Sequence, residues 1–119
     1  MKMKTGKLRI RSKIWIEDEK GAVIFGQGRL KILEAVIRNG SIHAAAKELK
    51  MSYRAVWGKL KDTEECLGQP LLVRQAGGAA GGGSELTPLG KSLLDKFSDL
   101  QAHVATEVEN LFVQSFSPQ

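Results

Sequence analysis

The stretch Ser41–Gly68, "SIHAAAKELKMSYRAVWGKLKDTEECLG", contains two helical patterns separated by a two-residue break. Ser41 can cap the first helix, whose narrow inner face is formed by Ile42, Ala45, Ala46 and Leu49. Ser52 can cap the second helix, in which the inward positions are Val56, Leu60, Thr63 and Leu67. Gly68 ends that helix. Because the connection is so short, and because the second helix begins with polar, aromatic and basic residues, the pattern predicts a helix-turn-helix.

A further helix precedes this stretch. Between Gly28 and Asn39, apolar residues recur at helical spacing, and Gly40 suits the left-handed position that ends a helix. The stripe consists of Leu30, Leu33 and Ile37, widened by Ile32 and Val36. We therefore expect three consecutive helices before residue 70.

The N-terminal segment predicts a β-hairpin. From Lys7 to Ile16, "KLRIRSKIWI" alternates with a period of two, which is typical of a half-buried strand. The expected inner face is Leu8, Ile10, Ser12, Ile14 and Ile16. A polar turn, "EDEKG", then leads to a second strand at Ala22–Phe25. Residues 1–26 are thus expected to form a basic arm and a hairpin.

The glycine-rich segment "QAGGAAGGGSELT" (Gln75–Thr87) follows a short apolar strand, "PLLVR", and leads into "SEL", which can pair with it. A Walker A loop is excluded because the segment contains no lysine, and the spacing G-x-G-x-x-G is absent. A flexible linker remains an alternative. Since the segment lies between two candidate strands directly after a helix-turn-helix, we favour a hairpin loop, or wing, and assign residues 28–87 to the helix-turn-helix and wing.

The last predicted helix occupies residues 88–117. Thr87 can cap it, and Pro88 suits its first turn. Its apolar stripe is Leu93, Phe97, Leu100, Val104, Val108 and Leu111. The helix is roughly 40 Å long at 1.5 Å per residue, too long for one small domain to cover. We expect a partner helix to cover this stripe, giving a homodimer.

Composition and charge narrow the class of protein. The 119 residues suit one globular domain, with no apolar run long enough to span a membrane and no visible export signal. A single cysteine and two distant histidines give no zinc-ligand spacing, so we expect a cytoplasmic protein without a metal or cofactor. The net charge is +5, and it is segregated: residues 1–13 hold six Lys/Arg and no acid, and residues 29–61 hold eight against two acids. Such segregation is expected of a face that meets a polyanion, although a solvated charged face is an equal alternative.

Catalysis is not expected. Cys66 and His43 are not supported as a nucleophile and base by the sequence around them, and the carboxylates on the helices have basic neighbours. No set of residues meets the requirements of an active site even in outline.

The first turn of the second helix of the helix-turn-helix is the expected base-reading element. Side chains there reach base edges, and Arg54 can donate two hydrogen bonds to guanine. Lys59, Lys61 and Arg74 are expected near phosphates, and Trp57 can either meet DNA or pack beneath the wing. The full predicted contact set is Ser41, Ser52, Tyr53, Arg54, Trp57, Lys59, Lys61, Arg74, Gly77, Gly78, Gly81, Gly82 and Gly83.

These residues carry a family resemblance. The run "SIHAAAKELKMSYRAVWGKLKDTEECLGQPLLVR", followed by "GGAAGGG" and "LTPLG", resembles the N-terminal winged helix-turn-helix domain of ModE-type molybdate-responsive regulators, and more distantly that of LysR-type regulators. The match covers about Leu30 to Leu94. The resemblance implies that the helix starting at Ser52 enters the major groove, that Arg74 and Gly77–Gly83 form the wing, and that the terminal helix joins a homodimer.

This chain departs from the resemblance in two respects. Molybdate-sensing ModE proteins carry C-terminal oxyanion-binding domains, whereas this sequence ends at Gln119, so direct molybdate sensing is not expected. The tip of its wing has Ala79 and Ala80 where some relatives have a lysine.

Together these features predict a mainly α protein with a small β component: a winged helix-turn-helix with an N-terminal β-hairpin and a long C-terminal dimerisation helix. The expected function is sequence-specific binding of a palindromic double-stranded DNA operator in transcriptional regulation, with a link to molybdate or tungstate implied only by the resemblance. Two alternatives stay open. One is an architectural or weakly specific DNA-binding protein; the other is an interaction module whose long helix pairs with a separate effector-sensing subunit.

Overall fold

A computed structural model describes residues 7–74 and 83–116. The chain forms a hairpin, three helices, a second hairpin and a long helix. In order, these elements are β1 (Trp15–Glu17), β2 (Val23–Gly26), α1 (Gln27–Asn39), α2 (Ile42–Leu49), α3 (Tyr53–Leu67), β3 (Leu72–Arg74), β4 (Ser84–Leu86) and α4 (Pro88–Phe116). The mainly α winged helix-turn-helix architecture predicted from the sequence is confirmed.

The core lies where α1, α2 and α3 meet the start of α4. Leu33, Ala35 and Val36 of α1 are buried there against the small residues of α2 and against Val56 and Leu60 of α3. Ala45 and Ala46 allow the close approach of α1 and α2 that their narrow inner face predicts. The helical periodicity of each segment thus identifies most of the face that it buries. The prediction was wrong for Ile37 and Leu67, which are 60% and 39% exposed, because they lie in the last turns of α1 and α3, beyond the reach of the core.

Serine caps and left-handed residues set the bounds of the helix-turn-helix. The Ser41 hydroxyl accepts a hydrogen bond from the Ala44 amide (3.1 Å), and the Ser52 hydroxyl accepts one from the Ala55 amide (3.0 Å). Between α2 and α3, Lys50 adopts the left-handed conformation with φ of 57°. Capping of this kind satisfies amide groups that have no partner within the helix, so α2 and α3 begin at the residues that the sequence indicated.

The N-terminal hairpin is shorter than expected. Only Trp15–Glu17 pairs with Val23–Gly26, and residues 8–14 are not strand. The prediction of a strand over Lys7–Ile16 was therefore wrong for most of its length. The expected inner face is also only partly buried: Ile14 packs against the core, whereas Leu8 and Ile16 are exposed. Alternation alone does not form a strand: it needs a partner edge, and β2 offers only four residues.

The second hairpin ties the wing to the helical core. Leu72 pairs with Leu86, and Arg74 pairs with Ser84. The Ser84 amide also donates to the Gly40 carbonyl at the end of α1 (2.8 Å). These hydrogen bonds hold both wing strands at fixed positions beside the helix-turn-helix.

The start of α4 packs against Pro70 and Leu71, the two residues before β3. The Thr87 hydroxyl accepts from the Gly90 amide (3.0 Å) and donates to the Pro70 carbonyl (2.8 Å). A β-carbon added at Gly90 would lie 2.5 Å from the Leu71 carbonyl oxygen, so the close contact requires glycine. This packing fixes the direction in which α4 leaves the core.

Most of α4 extends away from the core. Phe97 is its last buried residue, and none of residues 98–116 is buried. The radius of gyration is 18.4 Å, whereas a compact chain of this length would have about 13.5 Å. The helix is thus the elongated part of the molecule, as its length predicted.

An ion pair clamps α1 to α2. Arg38 donates through Nε to Glu48 Oε1 (3.1 Å) and through its terminal nitrogen to the other carboxylate oxygen, while Asn39 Nδ2 donates to Oε1 (3.0 Å). Hydrogen bonds from Arg38, and then from Asn39, lower the pKa of Glu48 to about 2. The charged carboxylate is therefore favoured in the folded chain.

This clamp predicts a pH-dependent contribution to stability. Because the folded pKa of Glu48 is depressed, the contribution is fully present above about pH 4.5 and is lost as the pH falls through about 2. Melting temperatures of the wild type and of Glu48→Gln, measured between pH 6 and pH 2, should converge toward the acid end. A difference that stays constant over this range would contradict the assignment.

Candidate nucleic-acid interface

The exposed face of α3 is the centre of the candidate site. Val56, Leu60 and Thr63 point into the core, and the Thr63 hydroxyl donates to the Ile24 carbonyl of β2 (2.5 Å). At 3.6 residues per turn, the opposite face of the helix carries Arg54, Gly58 and Lys61. Burial of one face thus determines which side chains α3 presents to a partner.

Charge is divided along α3. Its first nine residues contain Arg54, Lys59 and Lys61 and no acid, whereas Asp62, Glu64 and Glu65 follow directly. Glu64 has a hydrogen-bond partner within the chain, because its carboxylate accepts a hydrogen bond from the Leu71 amide (2.7 Å). A polyanion would therefore be attracted to the first half of the helix and repelled from the second.

Tyr53 connects α2, α3 and the wing. Its ring stacks on that of His43, with centroids 4.1 Å apart and planes 15° from parallel. Its hydroxyl accepts a hydrogen bond from the Arg74 guanidinium (2.5 Å), whose central carbon lies 5.9 Å from the ring centroid. The half-buried tyrosine thus orients the cation at the base of the wing as well as offering a surface of its own.

The side chain of Trp57 extends from α3 toward the base of the wing. It is 42% exposed, and Lys61 Nζ sits 5.7 Å from its ring centroid. A cleft beside it is also lined by Leu72 and Arg74. The indole therefore packs toward the wing on one side and stays open to solvent on the other, which combines the two alternatives that the sequence left open.

A second basic cluster flanks the other side of α3. Arg29 Nε donates to the Lys59 carbonyl (3.1 Å), and a shallow cleft there is lined by Lys13, Trp15, Arg29 and Lys59. Trp15 is half-exposed on the outside of the first hairpin. Lys59 thus lies with cations from α1 and from the N-terminal arm.

The remaining predicted contact residues divide into two groups. Ser41 and Ser52 are helix caps, and Ser41 lines a polar cleft with His43, Tyr53, Arg74 and Gly83. The other wing glycines, Gly77, Gly78, Gly81 and Gly82, lie outside the described residues. The described set therefore brings α2, α3 and the base of the wing together on one surface.

The predicted dimerisation stripe needs one correction. Phe97 is 2% exposed and packs edge-on against Phe25 of β2, with ring centroids 5.1 Å apart. Leu93 packs against the same core. The expectation that these two residues face a partner was wrong, because the first three turns of α4 are used to cover the chain's own core. Beyond them, Leu100 and Leu111 are exposed, and Val104 and Val108 are half-buried.

Two residues of the interface were missed in the sequence. His43 was considered only as a zinc ligand or a catalytic base, and Arg29 only as part of the basic count. Neither residue gave a local signal, since His43 stacks on a ring ten residues away and the partner of Arg29 is a backbone carbonyl 30 residues away.

Two other classes of site are absent from the described ranges, 7–74 and 83–116. No three His, Cys, Asp or Glu side chains are grouped there to bind a metal ion. None of the helices in these ranges is apolar over enough residues to cross a lipid bilayer.

Two curated proteins are similar to this chain in sequence over most of its length. MopB of Rhodobacter capsulatus, a molybdenum-pterin-binding protein, is 38% identical over 87 residues, which is 73% of this chain and 32% of that protein. The molybdenum transport protein ModE of Azotobacter vinelandii is 36% identical over 70% of this chain and 31% of its own length. The chain thus spans about a third of the length of these curated relatives.

A solved structure and a family model agree with these matches. The DNA-binding domain of CbnR, crystallised with DNA, superposes with a TM-score of 0.56 at 26% identity, covering 74% of this chain and 95% of that domain. Residues 28–91, more than half of the chain, match the model of the bacterial regulatory helix-turn-helix proteins of the lysR family. This range contains all but the first residue of α1, together with α2, α3, the wing and the first turn of α4, and the chain therefore belongs to the lysR family of bacterial regulatory helix-turn-helix proteins.

Proposed function

We propose that this chain is the DNA-binding part of a transcriptional regulator that recognises a specific duplex site. The observation that carries the proposal is the exposed face of α3, where Arg54 and Lys61 project beside the wing and no acid lies in the first nine residues. An α-helix of this kind fits the major groove, where each base pair presents a distinct pattern of donors and acceptors. A chromosomal target also implies action in the cytoplasm.

The roles of individual residues follow from their positions. Arg54, exposed in the first turn of α3, is suited to bidentate hydrogen bonding with guanine. Lys59, Lys61 and Arg74 lie on the flanks of α3 or at the base of the wing, where phosphates would run. Ser41 and Ser52 present helix N-termini toward the same surface, and glycines of the wing, Gly83 among them, would let the backbone approach phosphate.

The chain is further proposed to act as a homodimer through α4. The helix is 29 residues long, or about 43 Å, and Leu100, Leu111 and Val113 are exposed beyond the core. A two-fold dimer would place two copies of α3 on one side of a duplex, about one helical turn apart or a multiple of it. The operator is then expected to be a near-palindrome.

A connection with molybdenum rests on the relatives. Those named above are a molybdenum transport protein and a molybdenum-pterin-binding protein. We infer that the genes controlled by this chain include those for uptake or use of molybdate or tungstate. Mapping the selected operator onto the genome of origin tests this inference, which fails if no such gene lies next to a matching site.

Selection of duplexes from a random library tests the main proposal against its rivals. An enriched palindrome supports sequence-specific regulation. Retention of all duplexes without enrichment, with a steep dependence on salt, supports an architectural protein. No retention would support an interaction module that pairs with a separate sensor subunit.

Substitutions at two cations of α3 should have different effects. Arg54→Ala should relax sequence preference by about 1–3 kcal/mol at one base pair of each half-site, because a bidentate contact is lost. Lys59→Ala should weaken binding almost equally for all sequences and reduce the salt slope by about one per chain. Binding titrations on the selected operator and on single-base variants distinguish the two. Equal weakening of every sequence by both variants would show that α3 does not read bases.

A further inference from the structure

Gly58 is an unusual residue for its place in the fold. It lies in the middle of α3, where glycine is less favourable than alanine by about 1 kcal/mol. Its φ is not in the left-handed region. Among the described glycines, Gly21, Gly40 and Gly68 have a left-handed φ. A β-carbon added to it would meet no atom within 4 Å. Neither backbone conformation nor packing within the chain therefore accounts for a glycine here.

Gly58 lies on the face of α3 that points away from the core. It is four residues after Arg54 and three before Lys61, so the three share the outward face of α3. Inward-facing Val56 and Leu60 place this face opposite the core. A glycine between two exposed cations removes bulk at the point where a partner would meet the helix.

The missing side chain at position 58 would affect how deeply α3 can enter the major groove. An α-helix with side chains is about 10–12 Å across, and the major groove is about 12 Å wide and 8.5 Å deep. Removing one side chain from the leading face lets the helix axis move deeper by about the length of a carbon–carbon bond, ~1.5 Å. A displacement of this size breaks a hydrogen bond, because a donor and an acceptor about 3.6 Å apart are already too far from each other to form one.

We propose that Gly58 is a specificity-determining residue of this chain, at which the bare backbone of α3 approaches the base edges of the duplex. The bare backbone allows Arg54 to reach its base at hydrogen-bonding distance. The inference rests on the proposed DNA-binding function. On this proposal, the residue at position 58 determines how deeply α3 enters the major groove.

Gly58→Ala gives a test that separates this role from a structural one. Alanine should raise the melting temperature by about 3 °C, because it favours the helix and meets no atom. It should nevertheless weaken binding to the duplex selected by the wild type by about tenfold, which corresponds to about 1.4 kcal/mol. Gly58→Leu should weaken binding further while the chain remains folded. Greater stability with lower affinity is a combination that a residue needed only for folding would not give.

Thr106→Ala provides the control. Thr106 is exposed in the interior of α4, on the side opposite the stripe that contains Val104 and Val108, so alanine there also favours the helix and touches neither α3 nor the wing. Its substitution should leave affinity within about twofold. If the wild type binds a selected duplex and Gly58→Ala binds it equally well, or if Thr106→Ala weakens binding as much, the inference is wrong. If the wild type selects no duplex at all, the proposed function itself fails.

Discussion

Leu100→Asp is expected to convert the proposed dimer to a monomer and to weaken operator binding by about a hundredfold or more. The side chain is 49% exposed on the part of α4 that the chain's own core does not cover. A charge in a helix–helix seam would be buried without a partner, which is costly. Each monomer would then bind one half-site alone and lose the gain of two linked contacts, which is about 10²–10⁴ in affinity.

Sedimentation and binding titrations check this expectation, with Ile37→Asp as the control. Ile37 is also an exposed apolar residue of a helix, at 60%, but it lies on α1. The control should remain a dimer and bind the operator almost as well as the wild type. Both variants should keep the circular dichroism of the wild type. If Leu100→Asp stays dimeric at micromolar concentration, α4 is not the seam.

Phe97→Ala is expected to lower the free energy of unfolding by about 3–5 kcal/mol, a large part of the stability of a domain of this size. The ring is 2% exposed and packs edge-on against Phe25, so its removal leaves a cavity between α4 and β2. Urea denaturation followed by circular dichroism measures the change.

The control for Phe97 lies on the same helix. Phe116 is exposed near the end of α4 and touches Phe112, with ring centroids 5.0 Å apart. Phe116→Ala should cost about 1 kcal/mol or less at a protein concentration low enough to keep the chain monomeric. Similar losses for both variants would mean that Phe97 is not part of the folded core of one chain.

The helix-turn-helix was predictable from sequence because its signals are local. Ser41 and Ser52 cap the helices that they precede, and Gly40 and Gly68 adopt the left-handed conformations that their positions suggested. Each of these signals acts within one turn of helix. The same holds for Thr87 at the start of α4, whose hydroxyl caps the first turn.

The N-terminal arm was not predictable in this way. The alternation over Lys7–Ile16 is a local pattern, but a strand also needs a neighbouring edge to pair with, and only Trp15–Glu17 has one. Likewise, Phe97 and Leu100 belong to one apolar stripe, and periodicity cannot tell how far the chain's own core reaches along it. The structure divides that stripe between Phe97, which is buried, and Leu100, which is exposed.

The sequence by itself determined the order of the helices, their caps, the basic first half of α3 and the presence of a wing, since these depend on residues close together in the chain. Tertiary structure decided which residues meet across it: His43 stacked on Tyr53, Arg74 held by the tyrosine hydroxyl, and Gly58 left facing outward with open space beside it. The physical reason is that packing brings together groups 10 to 30 residues apart, and contacts of that range leave no periodic trace in the sequence.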